Sequence, residues 1–216
     1  MKLAILHPCF FPYEGYYRIV DEVDHVIFLD DMAFTSKEWL NKTILDVSGK
    51  PYFFRIPIKK GENVIQLTNT IECTEKWKKK FLKAIKSGYG RAPNFKTVYP
   101  LMEEIVSLPT TQLSSIAAYS VYRVHEYLNV QRGNRAPSST KFSLSSVKYN
   151  NINTFIKEKI TEICKHERAS ELVCLPYMKY SMDPRELREN RTKVRFMGMD
   201  DNKYSIINKL MHDKEV

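Results

Sequence analysis

Two short, continuously apolar runs, KLAIL at residues 2–6 and HVIFL at 25–29, constrain the fold of this chain more than anything else in it. Each has the length of a strand buried on both faces. Between them, GYYRIVDEV carries Tyr16, Ile19, Val20 and Val23 at helical spacing. Strand, helix, strand in that order is a βαβ unit, whose two strands run parallel and whose crossover is right-handed.

The rest of the chain keeps the alternation. KTILDVSGKPYFFRIPI reads as a hairpin turning at Ser48-Gly49-Lys50-Pro51. Three helical segments follow. EKWKKKFLKAIKSG stacks Trp77, Phe81 and Ile85 at four-residue steps, with Gly88 as its stop. NFKTVYPLMEEIVS is kinked or split by Pro100, and TTQLSSIAAYSVYRVHEYLNV carries a long apolar stripe. QRGNRAPSS has linker composition. Beyond it come a strand TKFSLSS, a helix INTFIKEKITEICKHE, strands ELVCL and KVRFMG, and a closing helix YSIINKLMH. The expectation is a single α/β domain over 1–216. It has a mostly parallel sheet flanked by helices in three Rossmann-like layers, a hairpin insertion, and a helical segment at about 75–130.

With 216 residues, 43% of them hydrophobic and 27% charged, the chain can bury one sizeable core. No apolar run approaches membrane-spanning length. The N-terminus starts as a strand and not as a signal peptide, which places the protein in the cytoplasm. Cys9, Cys73, Cys164 and Cys174 lack CxxC spacing and read as reduced thiols. No Cys/His cluster has ligand spacing, so no metal is assigned. Walker, GxGxxG and GxSxG motifs are absent, so no cofactor is assigned. The net charge of +9 is concentrated in KWKKKFLKAIKSGYGRAPNFK, residues 76–96, and attracts anions: nucleotide phosphates, nucleic acid or acidic lipid. Lysines on this segment can meet nucleic-acid phosphates. However, Trp77 and Phe81 fall on its buried stripe, which favours a solvated basic face over a stacking surface.

Ligands of open parallel sheets bind at the carboxyl ends of the strands. The first strand ends in HPCFFPYEGYY and the second in Asp30-Asp31, so His7, Asp30 and Asp31 are the catalytic candidates. A histidine there can act as a general base or can simply pack the loop. The aspartates can bind metal, can accept from sugar or ribose hydroxyls, or can hold a turn. In the loop, Pro12 and Gly15 set the shape. Phe10 and Phe11 anchor it in the core, and His7 and Tyr13 are presented. In FTSKEWLNK, Lys37 and Lys42 suit phosphate, Asn41 a polar group and Trp39 a ring. The alternative is a charged turn anchored by Trp39.

MKLAILHPCFFPYEGYYRIV followed by VIFLDDMAFTSKEWLNKTIL resembles the start of the WbqC-like protein family. That pattern is a strand, Q-P-x-[YF]-F-P-x-x-G-Y-[FY], a strand ending in D-D-V-x-[YF], and W-x-N-R. WKKKFLKAIKSGYGRAPNF is similar to its W-x-x-K-x-L-x-x-I and Y-x-K-A-P-x-F segment. SLSS and ELVCLPYMKYSMDPREL lie where the family has S-S-[DE]-L and a Y-[IL]-x-x-x-G-G segment. The likeness covers most of the chain and is stronger in the first half. His7 replaces the family glutamine, Ala33 a second glutamine and Lys42 the W-x-N-R arginine. The glycine pair near Tyr177 and Met178 is missing, and the segment before the last helix is shortened.

The resemblance implies bacterial surface-polysaccharide work, such as acyl or aminoacyl transfer to an amino sugar carried on a nucleotide. In that reading a nucleotide-activated sugar, or another phosphorylated small molecule, is the partner. Lys37, Lys42 and Arg91 meet the diphosphate, Asp30 or Asp31 bonds hydroxyls, and His7 takes the proton. Loop amides from Phe10 to Gly15 are candidate oxyanion donors, and Cys9 keeps covalent catalysis open. The alternatives are a nucleic-acid-binding or nucleic-acid-modifying protein and a non-catalytic relative.

Overall fold

A computed structural model of the chain describes residues 1–32, 40–59, 74–134, 136–152, 155–198 and 204–213. In order, the elements are β1 (Lys2–Leu6), α1 (Glu14–Asp21), β2 (His25–Phe28), β3 (Lys42–Val47), β4 (Lys50–Arg55), α2 (Thr74–Tyr89), α3 (Phe95–Val106), α4 (Leu113–Gln131), β5 (Lys141–Leu144), α5 (Ser145–Lys148), α6 (Ile156–His166), β6 (Glu171–Cys174), α7 (Pro184–Glu189), β7 (Lys193–Phe196) and α8 (Ile206–His212). The contacts gather into two compact units. One comprises Met1–His7, Gly15–Met32 and Ser139–Asp201; the other comprises Pro8–Glu14, Ala33–Ser138 and Asn202–Val216.

The first unit is built on a five-stranded sheet of order β5-β2-β1-β6-β7, parallel throughout. This is the α/β class read from the alternation of strands and helices. The apolar runs sit where continuous apolar strands belong: Leu3 through Leu6 and Val26 are fully buried. On one face Leu3, Ile5, Ile27, Leu29, Leu172 and Cys174 pack with Ile160, Ile163 and Cys164 of α6 and with Tyr149 and Leu187. Burying each large apolar side chain contributes about 1.5–3 kcal/mol. The run TKFSLSS is shorter as a strand than expected. It leaves the sheet after Leu144, and Ser145 and Ser146 open α5.

The second unit holds the hairpin, α2, α3, α4 and α8. The hairpin is a separate antiparallel pair, and its turn is tighter than the four residues expected. Ser48 (φ 57°) and Gly49 (φ 75°) are both left-handed, as a two-residue type I′ turn requires. α3 continues through Pro100 without breaking, because Val98, Leu101, Met102, Ile105 and Val106 are buried along it. Gly88, the expected stop, is the last residue but one of α2, which ends at Tyr89. It lies inside α2, where a Cβ would come within 2.4 Å of the Asp46 carbonyl oxygen, so it lets the helix touch β3.

The aromatic loop belongs to this unit. Phe10 and Phe11 are fully buried and pack on Phe81, with Trp77 edge-on to Phe10 at 6.2 Å. The left-handed residue in the loop is Phe11 (φ 44°) and not Gly15, which lies in the first turn of α1. That conformation costs a phenylalanine about 1–3 kcal/mol. Three hydrogen bonds hold it: the Phe11 amide donates to Ser120 Oγ (3.2 Å), and its carbonyl accepts from Thr43 (3.0 Å) and Ser205 (2.8 Å).

Candidate functional site

In the first unit the order of the strands reverses between β1 and β6. From β1 the chain steps outward through β2 to β5, then returns to the other side of β1 for β6 and β7. Such a reversal opens a crevice at the carboxyl ends of the two strands. His7 follows β1, and Leu175, Pro176 and Tyr177 follow β6. The His7 and Tyr177 rings have centroids 6.4 Å apart, inclined by 32°. The His7 carbonyl accepts from the Tyr16 hydroxyl at 2.6 Å, which ties the end of β1 to α1. Tyr177 is 41% exposed, so an accessible aromatic residue stands beside the partly buried imidazole.

One strand over, β2 ends beside β5. Asp30 is buried; its carboxylate accepts from the Ser146 amide (2.9 Å) and the Ser146 hydroxyl (2.6 Å), and its own amide donates to Ser145 Oγ (3.3 Å). A carboxylate aimed at a first helical turn satisfies amides that the helix cannot. Asp30 therefore secures α5 across the strand ends. Asp31 accepts from Ser145 (2.5 Å) on one oxygen and from the Lys159 ammonium on the other. Lys159 is buried and also donates to the Ile152 carbonyl at 3.1 Å. Of the two carboxylates, Asp31 is the more accessible to a ligand.

At the opposite, amino end of the sheet is a second polar cluster. Glu167 accepts from Tyr149 (2.6 Å), Lys148 (2.9 Å) and His166 (3.2 Å). Burial pushes its acidity the other way, but these donors prevail and hold the Glu167 carboxyl down at about 2. His25 lies 3.3 Å from the same carboxylate and 2.9 Å from Ser143 Oγ. Burial, then the Lys148 charge, lowers its pKa below the usual 6.5. The carboxylate only accepts, so Nδ1 of the neutral ring donates to it and Nε2 accepts from Ser143.

Several expected site residues lie elsewhere. Tyr13, Asn41, Lys42 and Arg91 fall in the second unit, whereas His7, Asp30, Asp31 and Gly15 fall in the first. Tyr13 is not presented to solvent: it is buried and bridges Ser205. Asn41 is buried and donates to the Ile56 carbonyl at 2.9 Å. Lys42 opens β3, and Arg91 is exposed between α2 and α3. Lys37 and Trp39 lie outside the described residues. Cys9 is buried, and the Phe11 amide, one of the expected oxyanion donors, is already bonded to Ser120. Among the described residues no group of three or more His, Cys, Asp and Glu side chains could hold a metal ion. None of the described helices is long and apolar enough to cross a membrane.

Sequence reading missed Lys159, Ser145, Ser146 and Tyr177 as members of the site. Lys159 carried a signal: it sits on the apolar stripe of Ile156, Ile160 and Ile163, where a lysine needs a buried partner.

The model of the WbqC-like protein family matches residues 7–210 of this chain. The chain is also similar to Rv1507c, an uncharacterized protein of Mycobacterium tuberculosis. The two are 23% identical over 201 residues, which cover 92% of this chain and 83% of that protein. No solved structure matches.

Proposed function

The chain belongs to the WbqC-like protein family, and from that premise we propose that it is a transferase of bacterial surface-glycan biosynthesis. It moves an acyl or aminoacyl group to an amino sugar carried on a nucleotide. Membership of the family suggests a role in polysaccharide biosynthesis. The observation that supports the finer reading is the reversal of strand order between β1 and β6, with His7 and Tyr177 at that point. The sugar-nucleotide lies across the carboxyl ends of the strands. The amine bonds the acyl carbon of an activated acyl donor, the bond from that carbon to the donor's leaving group breaks, and His7 takes the amine proton and passes it to the leaving group. Tyr177 lines the ring of the sugar or base, and Asp31, fixed by Lys159 and Ser145, accepts a hydroxyl.

A thermal-shift screen of nucleotides and nucleotide-sugars at low and high salt tests this. One nucleotide-sugar is expected to raise the melting temperature at both salt concentrations, because a ligand of the folded state stabilises it by mass action. The His7→Gln variant is expected to keep that shift and lose turnover. Full turnover by His7→Gln would remove the base role. No shift with any nucleotide-sugar, beside salt-sensitive stabilisation by oligonucleotides, would replace the reading with nucleic-acid binding.

A further inference from the structure

A cavity of about 460 Å³ opens in the first unit between α7 and the strand β7, lined by Pro184, Arg188, Arg191, Thr192, Lys193, Val194 and Phe196. Its size is within the range of small-molecule sites. Neither His7 nor Tyr177 lines it, and it runs along β7 from Lys193 at the amino end to Phe196 at the carboxyl end.

Three cations line this cavity, and none of them has a carboxylate partner among the described residues. Arg188 donates Nε to the Pro184 carbonyl (3.3 Å), which leaves its two terminal amino groups for a ligand. Two carboxylates of the neighbourhood are engaged elsewhere. Glu171 is bonded to Arg195, and Glu186 accepts from Thr161. Nor are the cations needed to cap α7. The Arg191 amide donates to the Arg188 carbonyl (2.9 Å) and the Thr192 amide to the Leu187 carbonyl (2.8 Å), the full pair of a Schellman ending.

That ending sets the backbone of the residue that follows α7. It places Arg191 at φ 61°, in the left-handed region, at the position where helices favour glycine. α4 has a glycine there, Gly133 at φ 84°, and α6 has an arginine, Arg168 at φ 51°. At residue 191 the chain carries a strained arginine on the wall of a cavity. Thr192 is buried and bonds the Ala169 carbonyl at 2.9 Å, so the turn that presents Arg191 is fixed to the neighbouring turn before β6. Beyond the cations, Val194, Pro184 and Phe196 line the rest of the cavity, and Phe196 is 40% exposed.

We propose that this cavity is a binding site for a nucleoside phosphate, with the phosphates held by Arg188, Arg191 and Lys193 and the base or ribose against Val194 and Phe196. Arginine forks suit phosphate oxygens, and an exposed aromatic ring suits a base. The site is separate from the crevice at His7 and does not depend on the transferase reading.

The test is calorimetric titration of the full chain with a nucleoside diphosphate and with pyrophosphate, at low and raised salt. Saturable binding of the diphosphate is expected to weaken at least tenfold, about 1.4 kcal/mol, in Arg188→Gln and in Arg191→Gly. Arg191→Gly is expected at the same time to raise the melting temperature, because glycine relieves the left-handed strain. A loss of binding in that variant therefore cannot be a loss of folding. Phe196→Ala is expected to weaken the diphosphate and leave pyrophosphate unchanged. Tyr177→Ala, which removes the exposed ring of the other crevice, is expected to leave this binding unchanged. The proposal is overturned if the diphosphate does not bind saturably, or if Arg188→Gln and Arg191→Gly bind it like the parent. It is also overturned if Tyr177→Ala abolishes the binding, since that would place the ligand in the other crevice.

Discussion

Asp31 is one half of a largely buried ion pair. Its partner Lys159 is 5% exposed. Removing one member of a buried pair leaves the other charged and desolvated, at a cost of about 3–5 kcal/mol. Asp31→Asn is therefore expected to lower the unfolding free energy in urea by about 3 kcal/mol, at the lower end of that range. Asp31→Asn combined with Lys159→Met should recover more than half of the loss, because no charge is then stranded. A loss under about 1 kcal/mol in the single variant would mean that water reaches the ammonium. The chain announces Asp30 and Asp31 through position alone, directly behind an apolar run. Which of them secures α5 is not legible, because that depends on Ser145 and Ser146 arriving from more than a hundred residues away. Tyr177 was equally hidden, since nothing local marks an exposed tyrosine after a strand as facing a histidine.

Helix α2 and the hairpin show where local rules mislead. Periodicity correctly places Trp77, Phe81 and Ile85 inside. The glycine at 88 reads as a stop because glycine commonly ends helices, yet its function is close approach. Helix propensity alone favours Gly88→Ala by about 1 kcal/mol. The Asp46 carbonyl oxygen would stand 2.4 Å from the new Cβ, and a backbone atom cannot rotate away as a side-chain tip can. Overpacking of that kind costs about 1–3 kcal/mol. Gly88→Ala is thus expected to destabilise the protein in urea, and a stabilised variant would show that β3 shifts without penalty. The parallel sheet was legible for the opposite reason. Its inner strands β1, β2 and β6 are buried on both faces, so their apolar runs are unbroken and the pattern survives any detail of packing. The lengths of TKFSLSS and of the hairpin turn were misjudged because hydrogen bonds between distant residues decide where such elements end.

The charge of the whole chain, +9 with 25 acidic residues, makes acid the condition under which this molecule should fail first. Lowering the pH adds positive charge to a protein that already carries an excess, and self-repulsion grows. Two groups in the first unit set where the loss falls. His25 has a folded pKa below 6.5, so below pH 6.5 the unfolded chain takes up a proton that the folded protein resists, and stability declines. Glu167 has a folded pKa of about 2 against an ordinary value of 4.5. Its contribution is complete above pH 4.5 and is lost as the pH falls from there towards 2, about 3 kcal/mol in all. Urea unfolding between pH 8 and pH 3 is expected to show a shallow decline beginning near 6.5 and a steeper one below 4.5. Glu167→Gln should start from a lower stability at neutral pH and flatten the steeper leg, because no carboxylate remains to be protonated there. An unchanged slope below pH 4.5 in that variant would assign the acid lability to general repulsion instead of to the Glu167 network. In that case raising the ionic strength should restore the lost stability, since repulsion between exposed charges is screened and a buried hydrogen-bonded carboxylate is not.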